Sequence, residues 1–275
     1  MARSISTPRK VATTQAERTA KRLVRQQKKL EQEMLNDMGV KLAPTGGRMV
    51  KYGDLKKIEP LTDMQREFFD AWYDAPEDNC GFVLNGNPGC GKTFLSMFVA
   101  LEALLQPGST YDKIIIIRGT KQVSDLGFLK GDLAEKVSPF TLPYVQACAE
   151  LTGNKAAYEK LSEIGKIEFM CTSFMRGLNF ENAIVYVDEV SSLTWHEINT
   201  ICTRISKNTK LIMSGSKSQN DLIYSRNEKS GYAEFLSVSD KMAEFRRFDF
   251  TSADIVRSGF VKSWVIACER VGLDS

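Results

Sequence analysis

Apolar and polar positions follow two rhythms along this chain. Six short apolar runs, at residues 81–85, 113–118, 166–171, 183–187, 210–214 and roughly 244–250, are separated by longer stretches with helical patterning. Three of the runs are unbroken: Ile114 to Ile117, Ile184 to Val187 and Leu211 to Met213. Strands covered on both faces read this way, as in a parallel sheet with a helical layer on each side. The intervals predict helices over 92–105, 131–150, 155–163, 193–205 and 258–271. A further amphipathic helix, capped near Thr62 and Asp63, is expected to carry Gln65 to Trp72. Strands alternating with helices imply right-handed crossovers and an α/β fold.

The first 50 residues follow neither rhythm. Residues 1–12 have the composition of a disordered tail. Residues 13–38 are good helix formers with a thin apolar stripe, Leu23, Leu30, Met34 and Met38, too sparse to fold alone. Pro44 to Gly47 ends this stretch. The expected organisation is an arm over 1–55, partly helical, and one domain over 56–275.

Charge sharpens that division. Residues 1–50 hold 11 basic and 4 acidic side chains against 26 and 30 in the remainder, so the net charge of +3 conceals a basic arm on a slightly acidic domain. No apolar run is long enough to span a membrane, and the N-terminus has no apolar leader. Six scattered cysteines without a Cys-x-x-Cys pair suit reduced thiols in a cytoplasmic protein. The single histidine, His196, excludes a His-rich metal site.

Residues 86–93, Gly86, Asn87, Pro88, Gly89, Cys90, Gly91, Lys92 and Thr93, match G-x-x-x-x-G-K-[ST] at every fixed position. They follow an apolar strand and open an apolar helix, the context that a phosphate-binding loop requires. Its glycines let backbone N–H groups surround phosphate oxygens at a helix N-terminus. Lys92 is expected on the β- and γ-phosphates of ATP and the Thr93 hydroxyl on Mg²⁺.

Asp188 and Glu189 end the run 183–187 and so belong at the carboxyl edge of a strand, where α/β sheets bind ligands. Asp188 is the expected second partner of Mg²⁺, as in a Walker B strand, and Glu189 is placed to polarise an attacking water. That glutamate weighs against a small-molecule kinase, which must exclude water. A purely structural protein has no use for an intact phosphate loop. Gln219, in the polar tail after the run 210–214, is a candidate for holding the water, since an amide donates and accepts.

These motifs in this order resemble the PhoH family of P-loop ATPases over roughly residues 61–271. The resemblance also rests on residues 126–133, Glu135 to Val137 and Pro139, on Phe174 to Gly177, on Thr203 to Ile205, and on Asp254 to Arg257 with Phe260 to Lys262. It implies one RecA-like core of the superfamily 1 helicase type, with a parallel sheet of order 5-1-4-3-2. Short members of this kind are frequent in phage genomes. The resemblance puts Gln65 where such helicases read adenine. It also implies coupling to single-stranded RNA or DNA, with residues 121–136 touching the strand.

A helicase of this class completes its site with an arginine from a second core. Here a neighbouring subunit must supply it, which implies a homo-oligomer such as a hexameric ring. Arg257 is the first candidate for that finger in trans and Arg204 the second. The sequence departs from the family pattern in having Gly215 and Ser216 for Gly-Asp, Val190 and Ser191 after the acidic pair, Gly119 after Arg118, and Lys130 before Gly131. The alternative reading is an ATP-controlled assembly protein that does not act on nucleic acid.

Overall fold

The computed structural model describes residues 48–76, 78–119, 133–175, 177–216 and 229–272, with backbone alone for 133–139. Gln219, residues 121–132 and residues 1–47 of the arm lie outside the described residues.

Chain order is α1 (Asp63–Asp74), β1 (Cys80–Gly86), α2 (Lys92–Leu105), β2 (Lys113–Arg118), α3 (Leu133–Thr152), α4 (Ala157–Glu163), β3 (Ile167–Cys171), β4 (Ala183–Val187), α5 (Trp195–Cys202), β5 (Thr209–Gly215), α6 (Tyr232–Ser239), β6 (Phe245–Phe250) and α7 (Gly259–Arg270). Thr62 caps α1 by accepting the N–H of Gln65. Thr194 and Glu197 close a reciprocal capping box on α5.

The six strands form one sheet in the order β3-β2-β4-β5-β1-β6, and every pair is parallel. Read from β6, the first five places reproduce 5-1-4-3-2. β3 is an addition beyond β2, inserted in sequence before the acidic strand. The central strand β4 is buried along its whole length. The edge strand β6 buries Phe248 and Phe250 but turns Arg246, Arg247 and Asp249 outward, which guards an open edge against further pairing.

Strand alternation divides the core between two layers. Phe82, Leu84, Ile114 and Ile116 face α1, α2, α3 and α4, together with Phe68, Trp72, Leu101 and Tyr144. Val83, Ile115, Ile117, Val185 and Val187 face α5 and α6, with Ile198 and Phe235. Phe68 meets Phe82 edge-on at 6.0 Å, and Trp72 lies 5.0 Å from the same ring.

Packing against the sheet's first layer includes residues before α1. Val50 is buried in the first layer, and the Lys56 N–H donates to the carbonyl of Leu151 at 2.8 Å. Among the described residues no helix is long and apolar enough to cross a membrane.

Because all six strands run the same way, their carboxyl ends share one edge. Gly86, Arg118, the residues after Val187 and Gly215 meet there.

Candidate nucleotide site

A cavity of about 650 Å³ opens at that edge, lined by Gly89, Gly91, Lys92, Thr93, Arg118, Asp188, Glu189, Gly215 and Arg257 among others. Its floor is the loop between β1 and α2. Gly86, Gly89 and Gly91 all have positive φ. At Gly86 the need for glycine is steric as well, since a Cβ would stand 2.1 Å from the carbonyl oxygen of Phe250.

Lys92 opens α2, and its Nζ donates to the carbonyls of Gly86 at 2.6 Å and Asn87 at 2.8 Å. Burial pulls its ammonium below the ordinary lysine value, with Cys90 and Asp188 pulling the other way. A desolvated ammonium with only carbonyl partners is a strong binder of anionic oxygen.

Asp188 is buried and closely held. Its Oδ1 accepts from Ser214 Oγ at 2.7 Å and from the Glu189 N–H at 3.1 Å. Its Oδ2 accepts from the Tyr144 hydroxyl at 3.0 Å and lies 3.5 Å from Thr93 Oγ1. Tyr186 adds a further link at 3.0 Å from Ser214 Oγ. Burial and the Asp188 charge push Tyr144 and Tyr186 well above the ordinary phenol value, so both stay neutral. Thr93 and Asp188 thus offer hard oxygen donors side by side, the chemistry that suits Mg²⁺. Among the described residues no group of three or more His, Cys, Asp or Glu could hold a metal. A magnesium ion here would rely on nucleotide phosphates and water for its other ligands.

Three connections brace the loop. Gln65 is buried; its Oε1 accepts the Leu61 N–H at 2.9 Å and its Nε2 donates to the Cys90 carbonyl at 3.2 Å. The Val256 N–H donates to the Gly89 carbonyl at 3.1 Å. Asn87 Nδ2 reaches Glu269 Oε1 on α7 at 2.9 Å. The segment before α7 is shaped by Asp254, whose carboxylate accepts the N–H and hydroxyl of Thr251.

Sequence reasoning found Lys92, Thr93, Asp188 and Glu189, and the fold brings all four to this cavity. The structure also places three further candidates. Gln65 has its amide engaged by the protein on both sides, so an adenine contact would compete with bonds to Leu61 and Cys90. Arg257, expected to serve a neighbouring subunit, lines its own chain's cavity and packs on Gly89, where a Cβ would lie 3.5 Å from its Cγ and Cδ. Arg204 does not line this cavity. It donates to the Leu178 carbonyl at 2.8 Å and lines a separate cavity with Thr172, His196 and Glu197. Tyr144, Ser214 and the Asn87–Glu269 link carried no local signal, because each depends on a partner distant in sequence.

A P-loop at the carboxyl edge of a parallel sheet, facing an acidic strand end, defines the P-loop nucleotide-binding class. The family model described as PhoH-like protein matches residues 57–269, and the chain belongs to the PhoH family of P-loop ATPases. It is 32% identical over 260 residues to Protein PhoH of Escherichia coli strain K12, covering 92% of this chain and 72% of that one. A PhoH-like protein of Synechocystis is 34% identical over 186 residues, 67% of this chain and 55% of its own length. Among solved structures, the large terminase from a thermophilic bacteriophage has a TM-score of 0.45 and 16% identity, covering 75% of this chain and 50% of that chain. The same terminase in complex with ADP has a TM-score of 0.44. This chain spans about half the length of those solved chains.

Proposed function

We propose that this chain hydrolyses ATP in an Mg²⁺-dependent reaction coupled to single-stranded RNA or DNA. The observation that carries the hydrolytic reading is the meeting of Lys92, Thr93, Asp188 and Glu189 in one cavity. The loop N–H groups and Lys92 neutralise the terminal phosphates. Thr93 and Asp188 would hold Mg²⁺, which when bound offsets charge between the β- and γ-phosphates. Glu189 takes a proton from the attacking water. Arg257 serves the phosphates from within the chain, and Gln65 holds the loop. Gln219 remains the candidate for orienting water. The nucleic-acid coupling is supported by family membership and by the basic arm, which would bind phosphates through counterion release.

The test is phosphate release from MgATP with and without single-stranded RNA and DNA, for wild type and Lys92→Ala. Turnover that a strand raises and Lys92→Ala abolishes supports the motor reading. Turnover indifferent to both strands removes the nucleic-acid coupling.

A second reading has its own observation. Phe260 and Trp264 are exposed on one face of α7, and exposed Val271 follows at its end. Glu269, on the opposite side of α7, accepts from Asn87 of the P-loop, so the helix that carries this apolar face is tied to the nucleotide site, which favours ATP-controlled self-assembly, including a ring. ATP-dependent change in mass without strand stimulation would select it.

A further inference from the structure

Adjacent strands bring one more charged pair to the cavity. Ile117 of β2 pairs with Val187 of β4, and the Asp188 N–H donates to the Ile117 carbonyl at 3.0 Å. The next residues, Arg118 and Glu189, leave the sheet side by side, and their side chains form an ion pair. The two are unequally buried: the Arg118 side chain is 8% exposed and that of Glu189 32%. The guanidinium lies 5.7 Å from the Phe140 ring, and its buried Nε has no hydrogen-bond partner among the described residues. Buried guanidinium groups ordinarily spend their N–H donors, so this one keeps donor capacity in reserve beside a phosphate-binding loop. Glu189 sits at φ 55, a strained conformation for a non-glycine residue.

We infer that Arg118 exchanges partners during the catalytic cycle, an inference that rests on the ATPase reading above. Before a nucleoside triphosphate arrives, Arg118 holds the Glu189 carboxylate. When the γ-phosphate enters, its oxygens take the planar guanidinium fork, and Glu189 is released toward the attacking water. The oxygen of that water then bonds to the γ-phosphorus. The bond from phosphorus to the β–γ bridging oxygen breaks, and ADP keeps the electron pair. The water proton passes to Glu189 and then to solvent. A nucleoside diphosphate has no γ-phosphate and leaves the Arg118–Glu189 pair intact. Arg118 is thereby both the restraint on the base and the sensor of the third phosphate.

Calorimetric titration of magnesium-loaded, non-hydrolysable ATP analogue and of MgADP tests this on wild type, Arg118→Ala, Arg118→Lys and Glu189→Ala. Thermal melting of each variant checks its fold. Arg118→Ala should lose about tenfold in affinity for the analogue and keep its affinity for ADP. Arg118→Lys should recover part of that loss. Glu189→Ala frees the guanidinium, so it should bind the analogue several-fold more tightly with ADP unchanged. If Arg118→Ala fails to fold, the gain in Glu189→Ala decides alone. Unchanged analogue affinity in Glu189→Ala would overturn the exchange and leave the pair a structural contact. Wild type that binds neither nucleotide would sink the ATPase reading and the exchange with it, whereas binding of both without discrimination would sink the exchange only.

Discussion

Gln65 on α1 donates to the backbone carbonyl of Cys90 in the middle of the P-loop, at 3.2 Å. The same amide accepts the N–H of Leu61, so a single buried side chain joins the helix N-terminus to the loop. Replacing Gln65 by alanine should loosen the loop and weaken ATP and ADP together, by about tenfold for one buried hydrogen bond. The ATP-to-GTP affinity ratio should not move. Competition binding with both nucleotides checks this, and a ratio that shifts would restore Gln65 to the adenine.

Tyr144 supplies one of the bonds that hold Asp188. Tyr144→Phe removes the hydroxyl but keeps the ring against Tyr186, 6.1 Å away. The expected loss is about 1.5–3 kcal/mol of stability, the usual range for a hydrogen bond to a charged acceptor. A higher Mg²⁺ concentration for half-maximal turnover should accompany it. Denaturant melts and a magnesium titration of phosphate release measure the two effects.

At Gly86 a methyl group would collide with the backbone of β6. That contact is with main chain and has no side chain to swing aside. Gly86→Ala should cost about 2–3 kcal/mol or more and reduce affinity for both nucleotides, because the loop and β6 must separate. A variant with wild-type stability and affinity would contradict the steric reading.

Alkaline pH should destabilise the fold. Burial pushes Cys90 and Cys171 up to about 11 from an ordinary value of 9.0. Between those limits the unfolded chain releases thiol protons that the folded chain retains. Stability is therefore complete below pH 9 and falls as pH rises toward 11, by roughly 1.4 kcal/mol per pH unit for each thiol. Tyr144 and Tyr186 act in the same direction at higher pH. Lys92, lowered by burial, opposes it as a single group. Calorimetric melting temperatures across pH 8 to 11 should decline, and Cys90→Ala should flatten the curve.

The layered architecture was legible because β2, β4 and β5 are continuously apolar and their neighbours are not. The predicted runs 113–118 and 183–187 coincide with β2 and β4. The short helix α6 went unpredicted although Tyr232, Phe235, Leu236 and Ser239 keep helical spacing, because eight residues after a polar stretch give a weak periodic signal. The P-loop was legible because its chemistry is local, fixed by neighbours in sequence. Arg257 was legible as a candidate arginine, but its position against Gly89 of its own chain was not. Its place on its own loop follows from how residues 251–258 run after β6, which is a tertiary matter.

The all-parallel register also sets the order in which this molecule can come into being. Gly81 on the P-loop strand pairs with Leu211 on one side and Phe245 on the other. Neither neighbour is available while the first half of the chain is being made, and no hairpin can substitute for them. Contacts so distant in sequence form slowly and leave strand edges exposed meanwhile. During synthesis the loop that would receive phosphate has only its Gln65 brace until β6 and α7 have emerged. A nascent chain should thus acquire affinity for nucleotide abruptly and late, in the same step that closes its sheet.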